Sequence, residues 1–249
     1  LHLSIRRQRQ MCIRDRVYNE ILILGIVETN PAQGLAELLP VPDKHTKGNF
    51  GHITSPAEIK VLLQQIHSPS SRQDYATTQA LKLMPLVFLR PKNIRFLKWE
   101  YIDFDNKLIN IPASEIKTRK PLTVPLAHQT VTILKSMEPL TGDLEYVFVS
   151  GHGKGKPLSE NTTTAALRRF INPETGEPFG TGYMTSHGFR HMASTLLNEM
   201  GYDPDVIELQ LAHINKDRIR ATYNKAQLMD KRIEMMQEWA DYLDGLRHE

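Results

Sequence analysis

A single cysteine, Cys12, among 249 residues excludes an internal disulfide framework and any zinc site built on cysteine pairs. No apolar run approaches the roughly 18 residues of a membrane span, and the start lacks the basic-then-apolar order of a signal peptide. A cytoplasmic place is therefore expected. Internal repeats and low-complexity tracts are also absent. A strong charge of either sign is missing too: the net charge is +3, and its distribution matters more than its size. Arg6 to Arg16 reads RRQRQMCIRDR, the peptide that a sequencing-library adapter would encode if read through. Residues 1–16 are thus expected to be non-native, the other reading being a basic DNA-binding arm. That segment carries a net +4, so the remainder holds −1 and global charge says nothing about nucleic acid.

What is present is 40% hydrophobic and 24% charged residues, enough apolar material for one good core and a small second unit. An apolar run from Val17 (Ile21, Leu22, Leu24, Ile26, Val27) predicts a helix, followed by Asn30-Pro31 and a short helical piece. Pro40, Pro42, Gly48 and Gly51 then mark a linker. Residues 17–50 are expected to be the end of a helical domain plus that linker, and residues 51–249 a second domain. Within the latter, Ser55-Pro56-Ala57-Glu58 predicts a capping box ahead of Ile59, Leu62, Leu63 and Ile66. A further helix is predicted from Gln73 to Leu89, kinked at Pro85 and stopped near Arg90 by Pro91. Alternation at Leu108–Ile111 and Leu122–Val124 predicts a hairpin whose polar tip holds Lys117, Arg119 and Lys120, and Tyr146–Val149 a short strand. A basic, glycine-rich loop, His152 to Lys156, leads to a helix capped near Ser159. Ser186 caps a helix to Met200 ended by Gly201, and Asp203-Pro204 opens another to about His213. Met229, Ile233, Met236, Ala240 and Leu243 form a last helical stripe, suited either to its own domain or to a neighbouring copy.

Cleaving a phosphodiester without a metal needs a nucleophile, positive groups around the phosphate and a proton donor for the departing oxygen. His187 and Arg190 stand three apart at a helix start, a place that favours an anion. His213 follows Arg190 by 23 residues, and Tyr223 follows His213 by ten. Singly, each has an ordinary explanation as a packing, capping or surface residue. His187 and His191 also have the i, i+4 spacing of a metal pair, but Gly188 stands where a zinc protease needs Glu and no third ligand is evident.

As an ordered set, with Arg90 and Lys117 upstream, the residues resemble the tyrosine recombinases of the phage-integrase type, above all integrases of genomic islands and prophages. The resemblance runs from about residue 17 to the end and includes SENTTTAALRR, MTSHGFRHMASTLLNEMG, IELQLAH and WADYLDGLR. It implies a mainly α (α+β) catalytic domain, helices with a small antiparallel sheet. It implies that Arg90 and Arg190 hold the nonbridging phosphate oxygens, Lys117 protonates the leaving 5′ oxygen, His187 and His213 assist proton transfer, and Tyr223 is the nucleophile. Lys154, Lys156, Arg168, Arg169, Arg119 and Lys120 would contact DNA phosphates. The implied partners are double-stranded DNA attachment sites, copies of the chain forming a homotetramer on DNA, and host DNA-bending or directionality factors. No cofactor, no metal and no membrane are implied, and the bacterial nucleoid is the implied place of action.

Two departures stand out. The family usually reads Arg-Pro-Gly-Glu-Leu where this chain has Arg90-Pro91-Lys92-Asn93-Ile94, so the acid beside the first arginine is replaced by Asn93. The N-terminal arm-binding domain and most of the helical core-binding domain are also expected and not seen in the sequence. A catalytically impaired DNA-binding relative, or a type IB-like topoisomerase activity only, are the alternatives these features raise.

Overall fold

The computed structural model describes residues 2–33, 51–68, 74–151, 155–180, 182–213 and 227–249. It divides the chain into two compact units, residues 1–49 and 50–249. In the first, α1 (His2–Ile23) runs unbroken across residue 17, where the apolar run alone would start it. Asn30 folds back on it, its Nδ2 donating to Asp15 Oδ1 at 2.9 Å and Asn19 Oδ1 at 2.7 Å. Ile23, Leu24 and Ile26 stay exposed among the described residues. The helical piece and linker read after residue 33 lie outside the described residues.

The second unit is mainly helical with a small antiparallel sheet, an α+β arrangement. Its helices are α2 (Pro56–His67), α3 (Tyr75–Val87), α4 (Pro91–Arg95), α5 (His128–Thr141), α6 (Thr162–Leu167), α7 (Gly188–Glu199), α8 (Pro204–Gln210) and α9 (Gln227–His248). Strands β1 (Ile102–Asp103), β2 (Leu108–Ile111) and β3 (Leu122–Pro125) pair in that order. In the β2–β3 register Ile109 faces Val124 and Ile111 faces Leu122, all buried, whereas Asn110 faces Thr123, whose hydroxyl donates to Asn110 Oδ1 at 2.9 Å. That is the period-2 alternation the sequence predicts.

Helix α3 is the centre of the core. Asp74 caps it by accepting from the Thr77 amide, and ten of its residues are buried on all sides. Such all-round burial belongs to a helix enclosed by others, here α2, α5, α7 and α9. Each fully buried Leu contributes about 1.5–3 kcal/mol relative to exposure. Pro85 is tolerated inside it, and its carbonyl accepts from Trp239 Nε1 at 2.8 Å. The helix ends at Phe88, which takes a left-handed conformation (φ 56°), and Arg90 is extended because Pro91 follows it.

Several local expectations are corrected. The capping box is not formed: Ser55 makes no side-chain cap, and Glu58 accepts from the Tyr183 hydroxyl instead, a tertiary bond that outcompetes the local one. Tyr146 and Val149 form isolated bridges, to Lys98 and Pro157, not a strand. Ser186 does not cap α7; its hydroxyl bonds those of Thr163 and Thr164, and Thr185 accepts from the Gly188 amide at 3.0 Å. Gly201 ends that helix at φ 84°, as predicted. Of the α9 stripe, Met236, Ala240 and Leu243 are buried within this unit with Met235, Trp239 and Leu246, while Ile233 is 48% exposed. The helix thus packs on its own domain, the first of the two readings the sequence left open. Among the described residues no helix is long and apolar enough to cross a membrane.

Candidate active site

The C-terminal end of α3 organises the site. The last carbonyls of a helix have no partner within it and carry its partial negative charge, so they attract donors, cations above all. Val87 O accepts from Gln210 Nε2 at 3.3 Å, at the end of α8. Phe88 O accepts from Arg190 Nη1, from the first turn of α7. Arg190 reaches on, its Nη2 donating to Leu211 O at 2.7 Å and lying 3.4 Å from His213 Nε2. Sequence positions 88, 190 and 211–213 thus meet at one guanidinium that is only 5% exposed.

His213 is oriented from its other side. Its Nδ1 is 2.8 Å from Glu208 Oε2. A carboxylate only accepts, so the proton sits on Nδ1 and Nε2 faces Arg190. Glu208 was missed in the sequence, although its spacing of five from His213 near a helix end was the available signal. Burial lowers the Arg190 pKa to about 10, with Arg90 adding to the shift and Glu208 opposing it, so it stays charged at neutral pH. Burial also lowers the pKa of Arg90, which makes no side-chain hydrogen bond among the described residues and keeps its donors available.

His187 sits just before α7 and is half-buried. Its pKa is lowered to about 4, first by burial and then by Arg190, His191, Arg90 and Lys117. Those causes place four of the predicted residues within one electrostatic neighbourhood, where His187 is neutral at neutral pH. Gly188 admits no side chain, since a Cβ there would meet the Gly51 carbonyl oxygen at 2.3 Å. Its role is a close backbone approach. His191 stacks obliquely between His187 and His52, at 6.0 and 5.5 Å between ring centroids. Among the described residues no group of three His, Cys, Asp or Glu is placed to hold a metal.

Lys117 is exposed on the β2–β3 loop, one residue after the buried Ile116. The loop is tied to the Arg90 segment by Asn93, which is buried and whose Nδ2 donates to Glu115 O at 3.0 Å. A carboxylate cannot make that bond, so the amide at position 93 is a brace of different chemistry, not a lost one. Asn93→Glu is accordingly expected to destabilise the protein by about 1–3 kcal/mol, the cost of setting a buried carboxylate against a carbonyl. Equal or greater stability in chemical unfolding would show that the tie is dispensable.

Arg119 and Lys120 lie exposed on the same loop, with Arg119 at φ 53°. Lys156, Arg168 and Arg169 are exposed elsewhere in the unit, and Arg168 Nε donates to Gly180 O at 3.2 Å. Tyr223 and Lys154 lie outside the described residues. Left-handed non-glycine residues recur beside the site, Phe88 two before Arg90, Arg119 two after Lys117 and Ala212 next to His213. Each costs on the order of 1–3 kcal/mol and persists only where surrounding contacts impose it. A cavity of about 460 Å³ lined by Leu63, Lys82, Ile133 and Leu243, among others, contains none of these site residues.

His67, beside that cavity, is likewise lowered to about 4, first by burial and then, against its bond to Leu63 O, by Arg247 and Lys82. Below about 6.5 the unfolded chain binds protons that the folded His67 and His187 refuse, so stability is complete above that pH and lost as it falls toward 4. The thermal midpoint should drop over this window and drop less in His67→Gln. A flat profile would contradict the burial of both imidazoles.

The family model described as the phage integrase family matches residues 53–229. The integrase of Shigella phage Sf6 is 35% identical over 242 residues, covering 96% of this chain and 58% of the relative, so the chain spans little over half of that protein's length. Among solved structures, the Tn1549 transposon integrase in complex with a circular intermediate DNA matches at 15% identity and a TM-score of 0.57, over 88% of this chain and 76% of that one. A lambda integrase tetramer bound to a Holliday junction matches at 17% identity and a TM-score of 0.52, over 82% and 57%. At such identities the structural likeness speaks to the fold.

Proposed function

The chain belongs to the phage integrase family, and from that premise we propose that it is a site-specific DNA recombinase that cleaves and rejoins double-stranded DNA through a 3′-phosphotyrosine at Tyr223. The observation that carries the reading is the meeting of Arg190, His213 and the turn before Arg90 around the end of α3. With Arg90 and His213 reaching solvent over the buried Arg190, these guanidinium and imidazole groups suit one phosphate of a long polymer.

In the proposed reaction Tyr223 Oη attacks the scissile phosphorus, and a phosphotyrosine bond forms as the bond to the 5′ oxygen breaks. The imidazoles take up the tyrosine proton: His187 is neutral at neutral pH, and His213 presents Nε2 with Nδ1 engaged by Glu208. Lys117 protonates the departing 5′ oxygen from a loop held by Asn93. Arg90 and Arg190 carry the charge that builds on the nonbridging oxygens. The bond energy stays in the phosphotyrosine, so a 5′ hydroxyl of another strand reverses the step without ATP or metal. Arg119, Lys120, Lys154, Lys156, Arg168 and Arg169 supply phosphate contacts along the duplex. The substrates would be attachment sites of a mobile element at a bacterial nucleoid, and the assembly a tetramer on DNA, like the lambda integrase tetramer bound to a Holliday junction.

The test is incubation in EDTA with a nicked suicide duplex carrying the junctions of the encoding element, followed by a denaturing gel. A covalent protein–DNA band is expected, and two intact sites should exchange strands. DNA binding without a band would overturn the catalytic reading, and a band without exchange would reduce it to topoisomerase chemistry.

A further inference from the structure

Beneath the site lies a buried polar group that the reaction as described does not use. Gln210, 1% exposed, closes α8 three residues before His213. Its Nε2 donates to Val87 O, three residues before Arg90, at 3.3 Å. Its Oε1 accepts from Arg232 Nε at 2.9 Å and Nη2 at 2.6 Å, and Arg232 Nη2 also donates to Thr123 O of β3 at 2.5 Å. Arg232 is 7% exposed and has no carboxylate partner among the described residues.

An isolated buried cation is a poor way to gain stability, since desolvation costs several kcal/mol and an apolar replacement often does as well or better. Burial lowers its pKa to about 10, leaving it charged at neutral pH. What the arrangement supplies is geometry. The planar fork of Arg232 orients the Gln210 amide, so that its oxygen faces α9 and its nitrogen faces α3. Four segments are then joined by the pair: the end of α3 before Arg90 and the end of α8 before His213 through the Gln210 amide, and α9, where Arg232 follows Tyr223 by nine residues, with β3 after the Lys117 loop through Arg232. The next carbonyl along, Phe88 O, is held by Arg190. Consecutive carbonyls of the α3 terminus are thus gripped side by side, one by an arginine of the site and one by Gln210.

We infer that Gln210 and Arg232 are positioning residues, a buried clamp that sets the distance between the turns presenting Arg90 and His213 and anchors the segment following Tyr223. The inference deepens the recombinase reading and rests on it for its effect on rate. Displacing a reacting group by about 1 Å can cost on the order of a hundredfold.

The test compares Gln210→Leu, Arg232→Met and the double variant with the parent protein. The readouts are single-turnover adduct formation at saturating DNA, noncovalent DNA affinity, thermal midpoint and amide hydrogen exchange. Each single variant should slow adduct formation about ten- to a hundredfold while DNA affinity stays within about twofold. The double variant, which swaps the buried polar group for apolar contact, should recover most of the thermal midpoint but not the rate. Recovery of the rate with the midpoint would reduce the pair to a stability device and overturn the inference. Exchange adds a readout that needs no DNA: amides at 89–95 and 211–213 should exchange faster in Gln210→Leu, with those of α7 unchanged. Unaltered exchange at both turns would overturn the clamp. Faster exchange at both, in a protein whose parent forms no adduct, would support the clamp and refute the recombinase reading instead.

Discussion

Tyr223→Phe is expected to abolish covalent attachment to DNA while leaving noncovalent affinity within about twofold. Only one oxygen is removed, yet it is the atom that forms the new bond, and two described tyrosines have their hydroxyls engaged. The Tyr202 hydroxyl donates to Glu238, and its pKa is pushed up to about 12 by burial first and by that carboxylate second. The Tyr183 hydroxyl is engaged by Glu58 and Asn172. Tyr202→Phe and Tyr183→Phe should therefore still form the adduct on a denaturing gel. Persistence of the band in Tyr223→Phe, or its loss in Tyr202→Phe with the fold intact, would remove Tyr223 from its role.

Arg190→Ala and Arg90→Ala should separate two duties that the sequence presents as equal. Both are expected to slow cleavage by several powers of ten, the loss of charge stabilisation worth about 3–5 kcal/mol in the transition state. Their effects on folding should differ. Arg190 is nearly inaccessible and holds Phe88 O and Leu211 O. Its removal leaves two carbonyls without donors, at about 1–3 kcal/mol each. Arg90 is partly exposed and binds no protein acceptor among the described residues, so Arg90→Ala should change stability by less than about 0.5 kcal/mol. Chemical unfolding of the two variants checks this directly. Equal stability losses would mean that Arg190 does not hold the two turns together, and undiminished cleavage in either would end its assigned part in catalysis.

Much of the architecture could be read locally. The α2 start at Pro56, the β2–β3 alternation, the Gly201 stop and the end of α3 before Arg90-Pro91 follow from proline and glycine geometry and from apolar periodicity, which act over a few residues. The failures share a cause. Glu58 and Ser186 each had a plausible local partner, and each found its partner among residues more than 20 positions away, while Ser55 makes no cap bond. Short polar side chains compete between local and distant bonds, and the choice depends on packing that no window contains. The α9 stripe left its partner open, and the docking of Trp239 beside Phe88 and Pro85 O sets the helix on its own domain, with Ile233 alone of the stripe left exposed.

For the candidate site, the residue types and order were already in the chain. Arginines, histidines, a lysine and a tyrosine at these intervals carry their chemistry wherever they are placed, and the resemblance to the integrases needed nothing more. Their common location was not in the chain, because positions 90, 117, 187, 190 and 213 meet only after α3, α7, α8 and the β2–β3 loop have packed. The meaning of Asn93 changed for the same reason. In the sequence it is a missing acid, whereas in the fold it is a donor aimed at Glu115 O, and only the acceptor tells the two apart. Gln210 and Arg232 were invisible as site residues, since an amide and a base on helices look like solvated surface until burial and partners are known. The sequence by itself determined the family and many of the local elements; the tertiary structure decided which carbonyls at the end of α3 were left for distant side chains to hold, because an unpaired backbone group accepts whatever donor packing brings to it.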